Sequence, residues 1–203
     1  MKKWLIESKC AGVIKKYVYS FLCLWFKFSS WHVVPMNQRP YALEIYRTLN
    51  NYIEKFEFPY SPMVEVGCGL GDIIGSLRWE YGKIGYDLSL NVLKGARLLH
   101  PDVIFHQGTF SNVNCKKIRC LIMVNFIHVI PPDKLKKSIE QILDKSKVEM
   151  FVLDTFRDNE GTEYIYSHDG NYLFDGKYKR IKCSNAFLAA HSAKRYIEYW
   201  KIK

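Results

Sequence analysis

The spacing of apolar positions changes rhythm along the chain. Ile14, Val18, Phe21, Leu22, Trp25 and Phe28 recur at intervals of about one helical turn, which predicts a helix with a strongly apolar stripe. Tyr17, Cys23, Leu24 and Phe26 carry that stripe most of the way round. WHVVPMNQRP then reads as a connector, because its two prolines and an asparagine stop any helix from crossing it. A second helix, over roughly 40–56, puts Ala42, Ile45, Tyr46, Leu49 and Ile53 on one face, and PYSP breaks it off.

From Met63 the pattern becomes strand, helix, strand. MVEV, KIGYD, VIFHQ, CLIMVNF and EMFVLDTF are short apolar runs of strand type. DIIGSLRW, SLNVLKGARLL and DKLKKSIEQILDKS between them have helical spacing. Such alternation predicts an α/β fold whose parallel sheet is covered on both faces. Residues 156–177 are polar, aromatic and glycine-punctuated, hence loop-rich, and KRIKC and RYIEYWKI read as two further strands paired at the sheet edge. The expected architecture is a doubly wound, mostly parallel sheet of seven strands over 61–203, behind an N-terminal helical extension and connector over 1–60.

Charge and cysteine usage narrow the setting. Thirty Lys and Arg against twenty Asp and Glu give a net charge of +10, a field that attracts anionic partners. Cys10, Cys23, Cys68, Cys115, Cys120 and Cys183 are scattered, with no CxxC pair and no histidine at finger spacing. That argues against a zinc site or a disulfide framework and for a reducing compartment, so a cytoplasmic protein is expected. The apolar run YVYSFLCLWF is too short to span a bilayer, which takes about 20 residues, and no small-residue cleavage site follows it. The helix that carries it has two readings. It packs on the domain, or, flanked by Lys2, Lys3, Lys9, Lys15 and Lys16, it lies on an anionic membrane as a peripheral contact.

The candidate chemistry begins at MVEVGCGLGD, residues 63–72. In a doubly wound sheet the turn after the first strand borders the ligand site, and Gly67, Gly69 and Gly71 leave the backbone bare there. A dinucleotide fingerprint needs glycine at position 72, where this chain has Asp72, and no GK[ST] follows. An acid at a helix N-terminus also opposes a pyrophosphate competing for the same positive end. A ligand with a cationic amino-acid end and no phosphate suits the loop better.

The stretch Glu65-Val-Gly67-Cys-Gly69-Leu-Gly71 resembles the first motif, [E/D]xGxGxG, of the class I S-adenosylmethionine-dependent methyltransferases, and the resemblance covers roughly 61–203. It implies S-adenosylmethionine as cofactor and S-adenosylhomocysteine (SAH) as product. It assigns cofactor contacts to Glu65, Gly67, Cys68, Gly69 and Gly71 in the loop, and to Asp87 and Leu88 at the second strand end, where the acid meets the ribose hydroxyls. Thr109 stands where the family often has an acid against the adenine amino group, which is a departure. Asn125, at the fourth strand end, borders the methionine part and the substrate. The [D/N]PP[Y/F] signature of amino-methylating nucleic-acid enzymes is absent, since Asn125 and Pro131-Pro132 stand six residues apart.

Transfer from a sulfonium needs alignment first, and a base near neutral pH helps an oxygen or amine acceptor. His128 and His168 are the candidates by position, with Asp154 as a further base, while His32 and His191 sit in other loops. No second acid stands beside Asp154 at ligand spacing, so no metal is expected. Arg39 and Tyr41 are placed to fold over the cofactor or hold an anionic substrate group. The aromatic 156–177 segment and N-terminal helices suit a small-molecule or glycan acceptor, and RPYALEIYRTLN and RYIEYWKI resemble methyltransferases of cell-surface polysaccharide clusters. A nucleic-acid binder or modifier is the disfavoured alternative, because the basic residues are spread out and no recognised module appears. A non-catalytic scaffold of the same fold is the other.

Overall fold

The computed structural model describes residues 9–52, 60–158, 162–189 and 193–203, and side chains from residue 12 onward. Its spine is one sheet of eight strands: β1 (Met63–Val66), β2 (Lys83–Asp87), β3 (Ile104–Gln107), β4 (Lys117–Met123), β5 (Lys147–Arg157), β6 (Tyr178–Cys183), β7 (Phe187–Leu188) and β8 (Lys194–Ile202). The spatial order is β3-β2-β1-β4-β5-β8-β6, with β7 pairing the start of β8. The first five strands are mutually parallel, and β8 runs antiparallel to both β5 and β6.

The helices are α1 (Lys9–Phe26), α2 (Pro40–Tyr52), α3 (Asp72–Ser76), α4 (Leu90–Leu99), α5 (Pro132–Leu143) and α6 (Gly170–Phe174). Alternation along the strands sorts them. Met63, Cys120, Ile122, Met150 and Val152 face one core with residues of α1 to α4, whereas Val64, Leu121, Met123, Phe151 and Leu153 face the other with α5 and α6. Strands buried on both faces cannot alternate apolar with polar, which is why CLIM reads as an unbroken apolar run and MVEV is interrupted only by Glu65. Tyr19, Leu22, Ala42, Ile45 and Leu49 belong to the first core, so the N-terminal helices pack directly on the sheet layer.

The doubly wound sheet stands as expected, with three differences. An eighth strand, β7, is added; two residues carry too little pattern to be read. The last two long strands pair antiparallel at the sheet edge as expected, with β6 outermost and β8 between it and β5, and a register shift at Arg180/Lys182 accompanies the pairing. α3 stops at Ser76, where Leu77 turns extended, so Leu77 to Trp79 are not helical. A short helix, α6, interrupts the predicted loop-rich segment, with Asp169 accepting from the Asn171 N–H as its cap. Residues 53–56 of the expected second helix lie outside the described residues. Pro132 occupies the first turn of α5, where a missing N–H costs nothing.

Candidate functional site

The strand order reverses beside β1, which pairs with β2 on one side and β4 on the other. The loops leaving the carboxyl ends of β1, β2 and β4 therefore meet there. Gly67, Gly69 and Gly71 have φ of 70°, 54° and 76°, values an L side chain rarely adopts. A Cβ on Gly67 would stand 2.5 Å from the Phe126 ring, and one on Gly69 would stand 2.9 Å from His32 Nδ1. The glycines thus answer to backbone conformation and to close neighbours together.

Two carboxylates hold this loop from opposite sides. Asp87, at the end of β2, accepts from the Gly69 N–H at 2.9 Å and from the Ser89 N–H at 2.9 Å. Glu65 lies within the sheet and accepts from the Ile74 N–H at 3.0 Å, satisfying one of the free donors in the first turn of α3. Burial pushes the Glu65 carboxyl up to about 8, against the Ile74 hydrogen bond and the Arg39 charge, which pull it down. Asp72 opens α3 with its carboxylate divided between two partners: the Tyr19 hydroxyl from α1 and the Arg39 guanidinium. Asp72 is thus paired rather than a free anion. The connector is tied to the loop through it.

Two cavities flank the loop and share Trp31, His32, Gly67 and Asn125. One, of about 470 Å³, is walled by Asp87, Leu88, Thr109, Phe126 and Val129. Leu88 is 71% exposed there, an apolar surface offered to a flat ligand. Thr109 spends its groups locally: its N–H donates to Asn112 Oδ1 at 2.9 Å and its hydroxyl meets Ser111 Oγ at 3.1 Å. The other, of about 360 Å³, is lined by Arg39, Tyr41, Glu65, Asp72, Tyr164 and Arg195 among others. Cys68 also lines it, its thiol pushed up by burial and the nearby Glu65.

Asn125 is the hinge between them. It has φ 69°, unusual for a residue with a side chain. Its N–H donates to Asp154 Oδ2 at 2.9 Å and its Oδ1 accepts from Arg195 Nη2 at 2.9 Å. Arg195 Nε stands 3.5 Å from the same Asp154 oxygen, and its guanidinium lies over the Tyr41 ring at 4.1 Å and near Phe156 at 4.9 Å. A strained, doubly tethered residue at a ligand-facing strand end is the usual company of a functional site.

The histidines separate by place. His32 lines both cavities, stacked on Trp31 at 3.5 Å, and burial pushes its imidazole down to about 4. His128 lines neither; it stands edge-on to Tyr164 at 5.0 Å, behind that residue's ring, with burial lowering its titration. His168 is buried, its Nε2 2.8 Å from the Ile127 carbonyl oxygen. Asp154 is fully buried behind Asn125 and Arg195. Glu65, Gly67, Cys68 and Gly69 of the sequence-predicted loop, with Asp87, Leu88, Thr109, Asn125, Arg39 and Tyr41, are brought together around the cavities; Gly71, His128, His168 and Asp154 are not on their walls, and His191 lies outside the described residues. Trp31, His32, Tyr164 and Arg195 were not assigned to the site by sequence. Trp31-His32 has no periodicity to mark it, though two aromatic residues in a proline-bounded connector were a signal. Among the described residues no group of three or more His, Cys, Asp or Glu could hold a metal ion.

No family model matches the sequence, and no curated protein sequence matches it. Solved structures do match. Magnesium protoporphyrin IX methyltransferase from Synechocystis PCC 6803 with bound SAH superposes with a TM-score of 0.65 at 10% identity, covering 94% of this chain and 99% of that one. The fold is that of S-adenosylmethionine-dependent methyltransferases. N-methyltransferase NodS from Bradyrhizobium japonicum WM9 matches at a TM-score of 0.57 and 7% identity, over 78% of this chain and 97% of that one. An RNA methyltransferase from Salinibacter ruber in complex with SAH matches at 0.52 and 13%, over 81% and 91%. At these identities the likeness speaks for the fold, and the chemistry must be argued from the site.

Proposed function

We propose that this protein is an S-adenosylmethionine-dependent methyltransferase acting on a small-molecule or saccharide acceptor. The observation that carries the reading is the pair of adjoining cavities around one positive-φ glycine loop at the β1 switch point, with Asp87 anchored to that loop. The residues fit the cofactor. Asp87 has a carboxylate with acceptor capacity beyond its two backbone donors, suited to ribose hydroxyls. Leu88, Phe126 and Val129 give an apolar slot for adenine. Glu65, Arg39 and Asn125 give the second cavity polar groups for an amino-acid end.

When bound, the cofactor supplies a methyl group already activated on a sulfonium. The chain's part is then alignment, exclusion of water and handling of the acceptor's proton. His32 is neutral at physiological pH and lies on the wall shared by both cavities, which makes it the imidazole best placed to take that proton. Asp154 and His168 act at one remove: the first fixes Asn125 and Arg195, the second pins the turn that carries Ile127. His128 backs the Tyr164 ring.

The acceptor side is walled by Trp31, Tyr41, Tyr164 and Phe187 with Gln38 and Asn125 between them. Aromatic faces with interspersed amides suit a sugar ring or a small aromatic. Proteins sharing the fold carry names that specify a porphyrin and an RNA, so fold does not choose the acceptor. The rim residues Trp31, Val34 and Leu188 are exposed and apolar rather than basic, which weighs against a nucleic-acid backbone crossing the mouth.

Calorimetric titration with S-adenosylmethionine, SAH and NAD, beside Gly69→Arg and Asp87→Ala, tests the cofactor. Micromolar binding of the first two, lost in both variants, supports the reading and opens an acceptor screen beginning with glycans. Preference for NAD, or no binding, sinks it. With an acceptor in hand, His32→Asn should flatten the acid limb of the pH–rate profile while His128→Asn preserves it.

A further inference from the structure

We infer that α1 docks the protein on an anionic lipid bilayer surface. The helix is two-faced. Tyr19 and Leu22 are buried against the domain, with Leu22 beside Gly95 of α4 and Tyr19 bonded to Asp72. Ile14, Tyr17, Val18, Phe21, Leu24 and Trp25 point the other way, with Tyr17, Leu24 and Trp25 exposed by 74%, 79% and 70%. At 3.6 residues per turn these six fall in an arc of about 120°, with Tyr19 opposite it and Leu22 on its flank. A helix packed on a water-soluble domain presents polar residues on that arc. This one presents a continuous apolar stripe, larger than scattered surface residues account for.

Charge selects the occupant. KCAGVIKKYVYSFLCLWF contains lysines and no acid; Lys16 is exposed on the helix flank beyond the stripe, and Lys27 is exposed just past the last turn. An apolar face flanked by lysines matches acyl chains beneath anionic headgroups. A second copy of the chain is the poorer fit, because a two-fold contact through α1 would set one lysine-flanked face against another with no acid to pair them. Among the described residues no helix is long and apolar enough to cross a membrane, so α1 lies on the surface rather than through it.

The same segment reaches the site. Five residues beyond α1, Trp31 is 62% exposed and lines both cavities, so docking brings the cleft mouth to the lipid face; this last consequence alone rests on the proposed activity.

The test is co-sedimentation of the full chain with phosphatidylcholine vesicles, with and without phosphatidylglycerol, for the natural sequence, Leu24→Glu/Trp25→Glu and Lys16→Glu/Lys27→Glu. The proposal expects binding to the mixed vesicles, about tenfold or more weaker binding to phosphatidylcholine alone, and steep loss with salt. Both variants should lose about tenfold or more while keeping their melting temperature. It is overturned if the natural chain ignores anionic vesicles, or if the first variant binds as the natural chain does. It is equally overturned if the natural chain is a dimer by analytical ultracentrifugation, binds no vesicle, and becomes monomeric in that variant. Calorimetry with S-adenosylmethionine on the same variants reads the proposed activity separately, since Leu24 and Trp25 touch neither cavity.

Discussion

Glu65 is a carboxyl group held in the sheet layer with 3% exposure, beside the loop that the proposed cofactor would occupy. Burial raises its titration from 4.5 to about 8. The folded chain therefore holds this proton more tightly than the unfolded chain does. The resulting stability is complete below about pH 4.5, falls as the pH rises toward 8, and changes no further above it. Each tenfold change in proton affinity is worth about 1.4 kcal/mol, so the full penalty is roughly 4–5 kcal/mol, and between pH 6 and pH 8 it amounts to roughly 2–3 kcal/mol. Glu65→Gln keeps an oxygen for the Ile74 N–H and cannot ionise. Urea unfolding of both proteins from pH 5 to pH 9 should show a variant that gains on the natural chain as the pH rises to about 8 and then levels off. A constant difference across that range would refute the reasoning, because it would mean that the carboxyl titrates alike in folded and unfolded chains. A cofactor ammonium in the Glu65 cavity would favour the carboxylate, so calorimetry at pH 7 in buffers of different ionisation enthalpy should register proton release on binding.

Three other outcomes are expected. Asp87→Ala strips the acceptor from the Gly69 and Ser89 amides, which water partly replaces; the melt should drop by about 1–2 kcal/mol, whereas cofactor affinity falls at least a hundredfold by calorimetry, and equal modest losses in both would make Asp87 merely structural. Gly67→Ala forces a side chain into φ 70° and against Phe126, a cost of about 2–4 kcal/mol in urea unfolding; a neutral result would mean the loop rearranges freely. Asp72→Ala leaves Arg39, whose side chain is 24% exposed, without its partner and the Tyr19 hydroxyl without its acceptor. It should cost about 3 kcal/mol, and a double-mutant cycle with Arg39→Ala should recover part of that; strict additivity would show that the pair is not coupled.

Periodicity and a single glycine-rich turn made much of this protein legible before any coordinates. Strand and helix signals come from side chains that are buried by their own element's geometry, so MVEV, KIGYD and CLIM could be read locally, as could the bare loop between Glu65 and Gly71. The acids at the loop and at the end of β2 stood in the positions that the motif implies, because short connections hold them near the glycines whatever the rest of the chain does. What the chain order could not reveal was which distant segments meet. The insertion of β8 between β5 and β6 depends on pairing energies across the sheet, and β7 is too short to carry a pattern. His32 comes over Gly69 only because α1 packs its inner face on α4, and Arg195 reaches Asn125 only because β8 runs back along β5. The role of Asp72 in the site was likewise decided in three dimensions: in sequence it is an acid repelling phosphate, and in the fold its charge is paired with Arg39 and it accepts a hydrogen bond from the Tyr19 hydroxyl, both from the N-terminal segment. Local pattern determined the elements and the loop; long-range packing determined which side chains stand around it, because burial and charge pairing are properties of neighbours in space.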